Sequence, residues 1–142
     1  TDPLGHAKEF GYDLMSNMTS YKDPLGNETN YAFDDFNRLK KIVHPAAVSG
    51  GTRLEEEFEY DKTGRIKKYF DTADRLTEYT YNDTTRTNTV KNAENEITTT
   101  KYNQRFQTIE VKDAINQTYT FTGRGDVRDV QFRRRGAAFE YR

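Results

Sequence analysis

The sequence predicts an all-β protein, an antiparallel meander of about a dozen short strands built from repeats of 21 residues. Three observations support this. Turn-forming sequences recur at a fixed period, aromatic residues alternate with other residues between the turns, and the connections are too short for parallel crossovers. A fixed period of this kind is typical of a repeat array rather than of an enzyme.

A turn sequence sets the period. Asp2-Pro3-Leu4-Gly5 returns as Asp23-Pro24-Leu25-Gly26, and the register continues in steps of 21 at Asp71, Asn92 and Asp113. The residues three places after these turn starts are Gly5, Gly26, Asp74, Asn95 and Asn116. Gly, Asp and Asn tolerate a left-handed backbone most readily, so the column indicates a required dihedral angle rather than a side-chain reaction.

A second signature, an aromatic residue followed by x-Tyr-Asp or its variants, accompanies the turns. It runs Phe10-Gly11-Tyr12-Asp13, Tyr31-Ala32-Phe33-Asp34, Phe58-Glu59-Tyr60-Asp61, Tyr79-Thr80-Tyr81-Asn82 and Thr100-Lys101-Tyr102-Asn103. The spacing is 21 except between Asp34 and Asp61, where 27 residues imply six inserted. We expect the insertion in an enlarged loop at 45–51, because His44 still falls 21 residues after Asp23 and Ser49-Gly50-Gly51 suits a longer connection.

The segments between the turns are predicted to be strands. Aromatic pairs at i and i+2 show the period of two that places residues on one face of a sheet. The pairs expected to share a face are Phe10/Tyr12, Tyr31/Phe33, Phe58/Tyr60 and Tyr79/Tyr81. The stretch from Thr84 to Thr100 is rich in β-branched residues, which fit a pleated surface. Each unit then holds two strands of about five to seven residues and two tight turns.

Here the residues resemble a known family. Tyr60-Asp61-Lys62-Thr63-Gly64-Arg65-Ile66, followed by a second turn at Asp71, resembles the YD repeat of the Rhs (rearrangement hot spot) and teneurin-like proteins. The resemblance covers nearly all of 1–142, with units beginning near 2, 23, 44, 71, 92 and 113. Asn37-Arg38 keeps the step seen at Gly64-Arg65, whereas Ser16-Asn17, Thr85-Arg86 and Phe106-Gln107 depart from it. The structural repeat positions are Gly5, Tyr12, Asp13, Gly26, Phe33, Asp34, Tyr60, Asp61, Gly64, Arg65, Tyr81 and Tyr102.

The resemblance implies a structural function. Such repeats wind their sheet into a hollow spiral shell, which in bacterial polymorphic toxins encloses a toxin cargo. The implied partners are the remainder of the parent Rhs chain and that cargo, and the implied location is secreted or on the bacterial cell surface. No residue is expected to be catalytic or to bind a cofactor or metal. The chain begins inside a turn at Thr1-Asp2-Pro3 and ends on an aromatic element, Phe139-Glu140-Tyr141, so we expect self-association through its sheet edges.

Composition limits the other classes of function. With 22 basic and 23 acidic residues, the net charge of −1 does not favour nucleic acid as a partner. The chain has no Cys, and no apolar run approaches the ~20 residues that span a bilayer. Only 33% of residues are apolar, but 10 Tyr and 9 Phe are present. Aromatic side chains are therefore expected to supply most of the packing.

The alternative function is a cell-surface carbohydrate-binding or adhesion module. Exposed aromatic ladders suit the faces of sugar rings, and Tyr31 and Tyr79 would be the glycan contacts. The exposure of the tyrosines distinguishes this alternative from the scaffold, because tyrosine rings that are buried against neighbouring repeats cannot bind a sugar. Three further patterns are weaker indications of function. The tripeptide Arg124-Gly125-Asp126 is the integrin-binding sequence, His6 and His44 could bind a metal, and the paired carboxylates Asp34-Asp35 and Asp71 with Asp74 could bind calcium or act as acid and base. Turn geometry already explains the tripeptide and the carboxylates, and the histidines have no Cys and no His-x-x-x-His partner with which to hold a metal.

Overall fold

The computed structural model describes residues 7–121 and 127–131. This part of the chain is all-β, which confirms the predicted fold class. It contains twelve strands: β1 Glu9–Tyr12, β2 Met18–Lys22, β3 Glu28–Phe33, β4 Leu39–Val43, β5 Glu55–Tyr60, β6 Ile66–Phe70, β7 Leu76–Asn82, β8 Thr87–Lys91, β9 Ile97–Tyr102, β10 Thr108–Lys112, β11 Thr118–Phe121 and β12 Val127–Gln131. The predicted repeat position Gly5, with His6, Arg124-Gly125-Asp126 and 139–142, lies outside the described residues.

The chain divides into two compact units. The first unit, Thr1–Leu76, contains β1 to β6 and the first residue of β7. The second unit, Thr77–Arg142, contains the rest of β7 and β8 to β12. Within each unit the strands lie in chain order, and consecutive strands pair antiparallel. Connections this short join neighbours by hairpins, which is why the meander follows from the repeat length.

Eight turns in the described part share one geometry. In each, the N–H of the first residue donates to the carbonyl of the fifth, and the N–H of the fourth donates to the carbonyl of the first. The fourth residue has positive φ in every case. This is a three-residue hairpin loop, a tight turn followed by one left-handed residue. The first residues of these turns are Asp13, Asp23, Asp34, Asp61, Asp71, Asn92, Asn103 and Asp113.

A β-bulge follows most of the turns at the Tyr-Asp end of the repeat. In the β5–β6 hairpin, Tyr60 pairs with Ile66 but Glu59 pairs with Lys68, which leaves Lys67 as the extra residue. The same shift occurs in the β1–β2, β3–β4, β9–β10 and β11–β12 hairpins. A bulge adds one residue to one strand and increases the local twist.

The β7–β8 hairpin places its extra residue differently. Asn82 pairs with Thr87 and Tyr81 with Asn88, without a register shift, so the loop between the strands has four residues instead of three. Beyond this point, Thr80 pairs with Thr89, as Glu59 pairs with Lys68 in the bulged hairpin. The extra residue has moved from the strand into the loop, and the 21-residue period is kept.

Cross-strand pairing sorts the side chains of the first unit onto two faces, because directly opposite residues point the same way. The aromatic face carries Phe10, Tyr12, Met18, Tyr21, Tyr31, Phe33, Leu39, Ile42, Phe58, Tyr60, Ile66 and Tyr69. The charged face carries Glu9, Lys22, Glu28, Lys41, Glu55, Glu57, Glu59 and Lys68. None of the described residues is fully buried. Packing within the unit therefore rests on contacts between neighbouring strands.

Candidate functional site: the joint between successive repeats

The acidic residue of the Tyr-Asp element caps its own turn. Oδ1 of Asp61 accepts the backbone N–H of Thr63 at 2.9 Å and that of Arg65 at 3.0 Å. Asp34 binds the N–H groups of Phe36 and Arg38 in the same way, at 2.9 and 3.0 Å. A side chain that accepts amides two and four residues ahead favours the turn over an extended chain.

In seven of the eight turns, the second polar side-chain atom of the first residue binds the side chain of the fifth residue, and the chemistry of the two is matched; in the eighth, Oδ2 of Asp113 accepts the Tyr119 hydroxyl at 3.3 Å. Aspartate heads face donors, as in Asp34–Arg38 at 2.7 Å and Asp23–Asn27 at 2.8 Å. The amide of Asn92 instead donates to the carboxylate of Glu96 at 2.8 Å. The pairs are Asp13–Asn17, Asp23–Asn27, Asp34–Arg38, Asp61–Arg65, Asp71–Arg75, Asn92–Glu96 and Asn103–Gln107.

These pairs hold the aspartates in their ionised form. The side-chain hydrogen bond from Arg38 lowers the pKa of Asp34, and the one from Arg75 lowers the pKa of Asp71. The amide of Asn27 lowers the pKa of Asp23 in the same way. Both donor types favour the carboxylate over the acid because each binds the charged form more strongly.

Tyr60 joins its repeat to the preceding one. Its hydroxyl donates to the carbonyl of Leu39 at 2.6 Å, 21 residues earlier in the chain. Its ring lies under the Arg38 guanidinium, 4.5 Å from the ring centroid, and that guanidinium also reaches the carbonyl of Asp61 at 3.4 Å. Burial raises the pKa of the Tyr60 phenol, consistent with a covered hydroxyl. We call this arrangement of Asp34, Arg38, Tyr60 and Asp61 the repeat joint.

The arrangement gives each part of the signature a physical role. Asp34 caps its turn and fixes Arg38, with a second contact of 2.6 Å between them. Arg38 then offers its flat face to the Tyr60 ring, a cation–π contact of roughly 0.5–1 kcal/mol where the pair is partly exposed. The joint can position and brace strands. It offers no nucleophile paired with a base.

The structure brings only some of the predicted positions together. Asp34, Tyr60 and Asp61 meet in the repeat joint, and Gly64 and Arg65 complete the Asp61 turn, with φ of +86° at Gly64. Of the others, Tyr12 is 62% exposed, Asp13 heads a turn, Gly26 has φ of +86°, and Phe33, Tyr81 and Tyr102 are half-buried strand residues.

The proposed glycan contacts, Tyr31 and Tyr79, are half-buried strand residues. Tyr31 lies opposite Ile42, and Tyr79 lies opposite Val90. Each ring therefore has an aliphatic neighbour across the strands rather than an open flank on that side. Sequence reasoning missed the turn-head pairs, although a complementary residue four places after each Asp or Asn was a signal that could have found them.

The described residues contain no group of three His, Cys, Asp or Glu side chains that could hold a metal ion. A shallow pocket of about 200 Å³ opens on the charged face beside Leu54 and Phe70. Its carboxylates Glu55 and Glu57 both bind Lys41, each at 2.7 Å, so this ammonium offsets part of the negative charge of the pocket wall. No helix in this part of the chain has the length and apolarity to span a membrane.

Comparison with known proteins finds similarity both in sequence and in fold. No family model matches the chain. The chain is 34% identical over 71 residues to the probable deoxyribonuclease RhsB of Dickeya dadantii, an alignment that covers 50% of this chain and 5% of that protein. The chain thus spans a small part of the length of the relative that it matches.

Two solved structures share the fold. A crystal structure of TcdB2-TccC3-Cdc42 superposes with a TM-score of 0.64 at 15% identity, covering 84% of this chain and 7% of the other. The Photorhabdus luminescens Tc holotoxin pore with a mutant TccC3 gives a TM-score of 0.64 at 16% identity, covering 86% and 6%. The RhsB alignment supports the predicted resemblance to Rhs proteins over half of this chain, and the two solved structures show that the chain shares their fold.

Proposed function

We propose that this chain is a structural repeat scaffold, a wall segment of an Rhs-type shell that encloses a toxin cargo. The observation that carries the proposal is the repeat joint. The groups that could do chemistry in the signature, a carboxylate, a guanidinium and a phenol, bind one another and the backbone of the neighbouring repeat. Side chains used in this way hold strands in register and leave no free acid, base or nucleophile at the joint.

The names of the similar proteins support a toxin context. One is a probable deoxyribonuclease, and another is part of a Tc holotoxin pore. We infer that nuclease activity in RhsB-like proteins lies outside the repeats, since the aligned segment is 5% of that protein. On this proposal the chain is not itself an enzyme, its partners are the rest of a longer Rhs chain and the cargo, and the assembly is secreted from a bacterium or displayed on its surface.

The test is a chimera. The segment of Dickeya dadantii RhsB that aligns with this chain is replaced by the matching repeats of this chain, and the purified chimera is subjected to limited proteolysis and electron microscopy. We expect the chimera to be cleaved no faster than unmodified RhsB in a parallel digest and to show particles of the same size. A matched chimera carrying Tyr60→Ala and Arg38→Ala should be cleaved faster, because the repeat joint is lost.

Two results would contradict the scaffold function. One is a chimera with intact joints that is degraded as fast as the double variant. The other is specific binding of the unmodified 142-residue chain to one oligosaccharide in a glycan panel, abolished by Tyr31→Ala or Tyr79→Ala, which would favour the carbohydrate-binding alternative. DNA cleavage by the purified chain with Mg²⁺ would likewise contradict the assignment of nuclease activity to other parts of such proteins.

A further inference from the structure

The enlarged loop differs chemically from the other connections of the first unit. It runs over 44–54 between β4 and β5, and it begins with a histidine where the equivalent turns begin with Asp23 and Asp71. The N–H of His44 donates to the carbonyl of Leu54 at 2.8 Å and closes the base of the loop. An inner turn is closed by the N–H of Gly51, which donates to the carbonyl of Val48 at 2.9 Å.

Arg53 fastens one end of the loop to the sheet without any titrating partner. Its guanidinium donates to the backbone carbonyls of His44 at 2.8 Å, Val43 at 2.9 Å and Glu28 at 2.6 Å. It also donates to the side-chain carbonyl of Asn30 at 2.6 Å. Because an arginine stays charged and backbone carbonyls do not titrate, this clamp is independent of pH.

His44 supplies the second attachment. Its Nε2 lies 2.6 Å from Oε1 of Glu56 on β5, and the other oxygen of that carboxylate accepts the Tyr69 hydroxyl at 2.6 Å from β6. The side chains of His44 and Glu56 are 36% and 20% exposed, so water screens the pair only in part. We propose that His44 is a pH-sensitive latch, which fastens the enlarged loop to the sheet more tightly when the imidazole is protonated.

The acidic groups near this attachment keep their charge around neutral pH. The hydrogen bond from Tyr69, with that from His44, lowers the pKa of Glu56, and the Arg75 hydrogen bond lowers the pKa of Asp71. Both carboxylates are therefore ionised at pH 5.5 and above, whereas guanidinium and phenol groups ordinarily lose protons only well above pH 7.5. Arg53 and Glu56 contact His44 directly, Tyr69 and Asp71 act on the Glu56 carboxylate, and Arg75 pairs with Asp71.

Protonation of the His44 imidazole should strengthen the attachment, because its partner Glu56 is a carboxylate. A neutral imidazole can donate one hydrogen bond to Glu56, but an imidazolium adds an ion pair to the same contact. Imidazole is the side chain whose charge ordinarily changes between pH 5 and 8, so the attachment is compared at pH 5.5 and pH 7.5. The proposal goes beyond the scaffold function, because it makes the order of one loop depend on acidity.

The test is amide hydrogen exchange on the whole 142-residue chain. Protection factors are measured for the hydrogen-bonded amides of His44 and Gly51 and divided by that of Gly64, the equivalent amide in a turn without histidine. We expect this ratio to be about three- to fivefold higher at pH 5.5 than at pH 7.5, the size that a half-exposed ion pair gives. Added salt at 0.5 M should reduce the difference.

Three variants make the test decisive. His44→Gln keeps a donor for Glu56 and Glu56→Gln keeps an acceptor, and each should give the same ratio at both pH values. His6→Gln should keep the full pH dependence of the wild type. The latch is wrong if the wild-type ratio does not change between the two pH values, or if the change survives in His44→Gln.

Discussion

At the scale of single residues, the turns show what the backbone demands and what it tolerates. Gly26 and Gly64 have φ of +86°, and Asp74, Asn95 and Asn116 have φ between 57° and 63°. These are the residue types that adopt the left-handed region at low cost. Phe106, at φ of 58°, occupies the same position without that advantage. The repeat therefore places Phe106, a residue type that seldom adopts positive φ, in the left-handed region.

A substitution at Gly64 tests this demand. A Cβ at Gly64 or Gly26 would meet no atom within 4 Å, so any loss of stability comes from the dihedral angle and not from a clash. We expect Gly64→Val to lower the free energy of unfolding by about 1–3 kcal/mol, because a β-branched residue is strained at positive φ. Gly64→Asn should cost much less, since Asn37 holds the equivalent position at φ of 64°. Equal losses in urea denaturation would contradict this.

The Tyr60 hydroxyl is the second residue to test. Tyr60→Phe removes the hydrogen bond to the Leu39 carbonyl but keeps the ring under Arg38. We expect a loss of about 1 kcal/mol in the free energy of unfolding, the usual net value of a protein hydrogen bond. The matched control is Tyr12→Phe, at the same place in another repeat, where the side chain is 62% exposed. Both variants behaving alike would show that the joint adds no stability.

The sequence was informative about these residues to different degrees. Period and turn chemistry located Gly26, Gly64 and the Tyr-Asp elements, because backbone preferences are local properties. The stacking of Arg38 on Tyr60 joins residues 22 apart, and such a contact depends on strand register and on the bulge at Lys40. The network of Arg53, His44 and Glu56 depends on how the enlarged loop folds back, for which the sequence offers no periodic signal.

At the scale of the turn, the side chains of the first and fifth residues form a matched pair. Asp71 with Arg75 and Asn92 with Glu96 have the same geometry with donor and acceptor exchanged. The turns with such a pair therefore carry two contributions, the cap on the backbone amides and the pairing of the two side chains. The first needs only a side-chain oxygen, which both Asp and Asn supply. The second needs complementary chemistry.

A double-variant cycle separates these contributions. We expect Asp71→Asn alone and Arg75→Glu alone to lower the melting temperature, because each leaves a mismatched partner. The combination of Asp71→Asn with Arg75→Glu recreates the Asn92–Glu96 pair and should recover most of the loss. Melting temperatures of the four proteins measure the coupling. If the two losses simply add, the pairing does not contribute.

The same pairs predict the response to acid. The Arg38 hydrogen bond lowers the pKa of Asp34 below its ordinary value of 3.8. A carboxyl with a depressed folded-state pKa stabilises the fold above its unfolded pKa, and that contribution disappears as the pH falls through the folded value. We expect the melting temperature to fall below about pH 4. Asp34→Asn should lower stability at pH 6 and flatten this acid dependence, whereas Asp35→Asn, at the exposed neighbour, should retain the wild-type slope.

The charged face provides a further test within one hairpin. Lys41 binds both Glu55 and Glu57, so its removal leaves two carboxylates close together on one face. Lys41→Gln should cost about 0.5–1 kcal/mol at low salt and less at high salt. The control is Lys40→Gln, since Lys40 takes part in none of the described ion pairs. A salt-independent loss would point to packing of the lysine stem instead.

At the scale of the whole molecule, the described residues form no buried core that could supply most of the stability. None of the described residues is fully buried, and within each unit consecutive strands pair with one another. The energetics should therefore be close to those of a linear repeat array, in which each unit contributes its own stability and an interface with its neighbours. This suits a scaffold assembled from many units, because added repeats bring added interfaces.

A local defect should consequently have a local effect, and native-state hydrogen exchange on Tyr60→Ala tests this. The substitution breaks the joint between β4 and β5, so protection should fall in β3 to β6, where Leu39 and Arg38 lose their partner. Amides paired between β10 and β11, such as those around Val111 and Tyr119, should keep nearly the wild-type protection. Ser20→Ala in β2, which leaves the joint intact, serves as the control. Acceleration by the same factor in every strand would mean that the chain unfolds as one cooperative block, and the description as a linear array of separately braced repeats would be wrong.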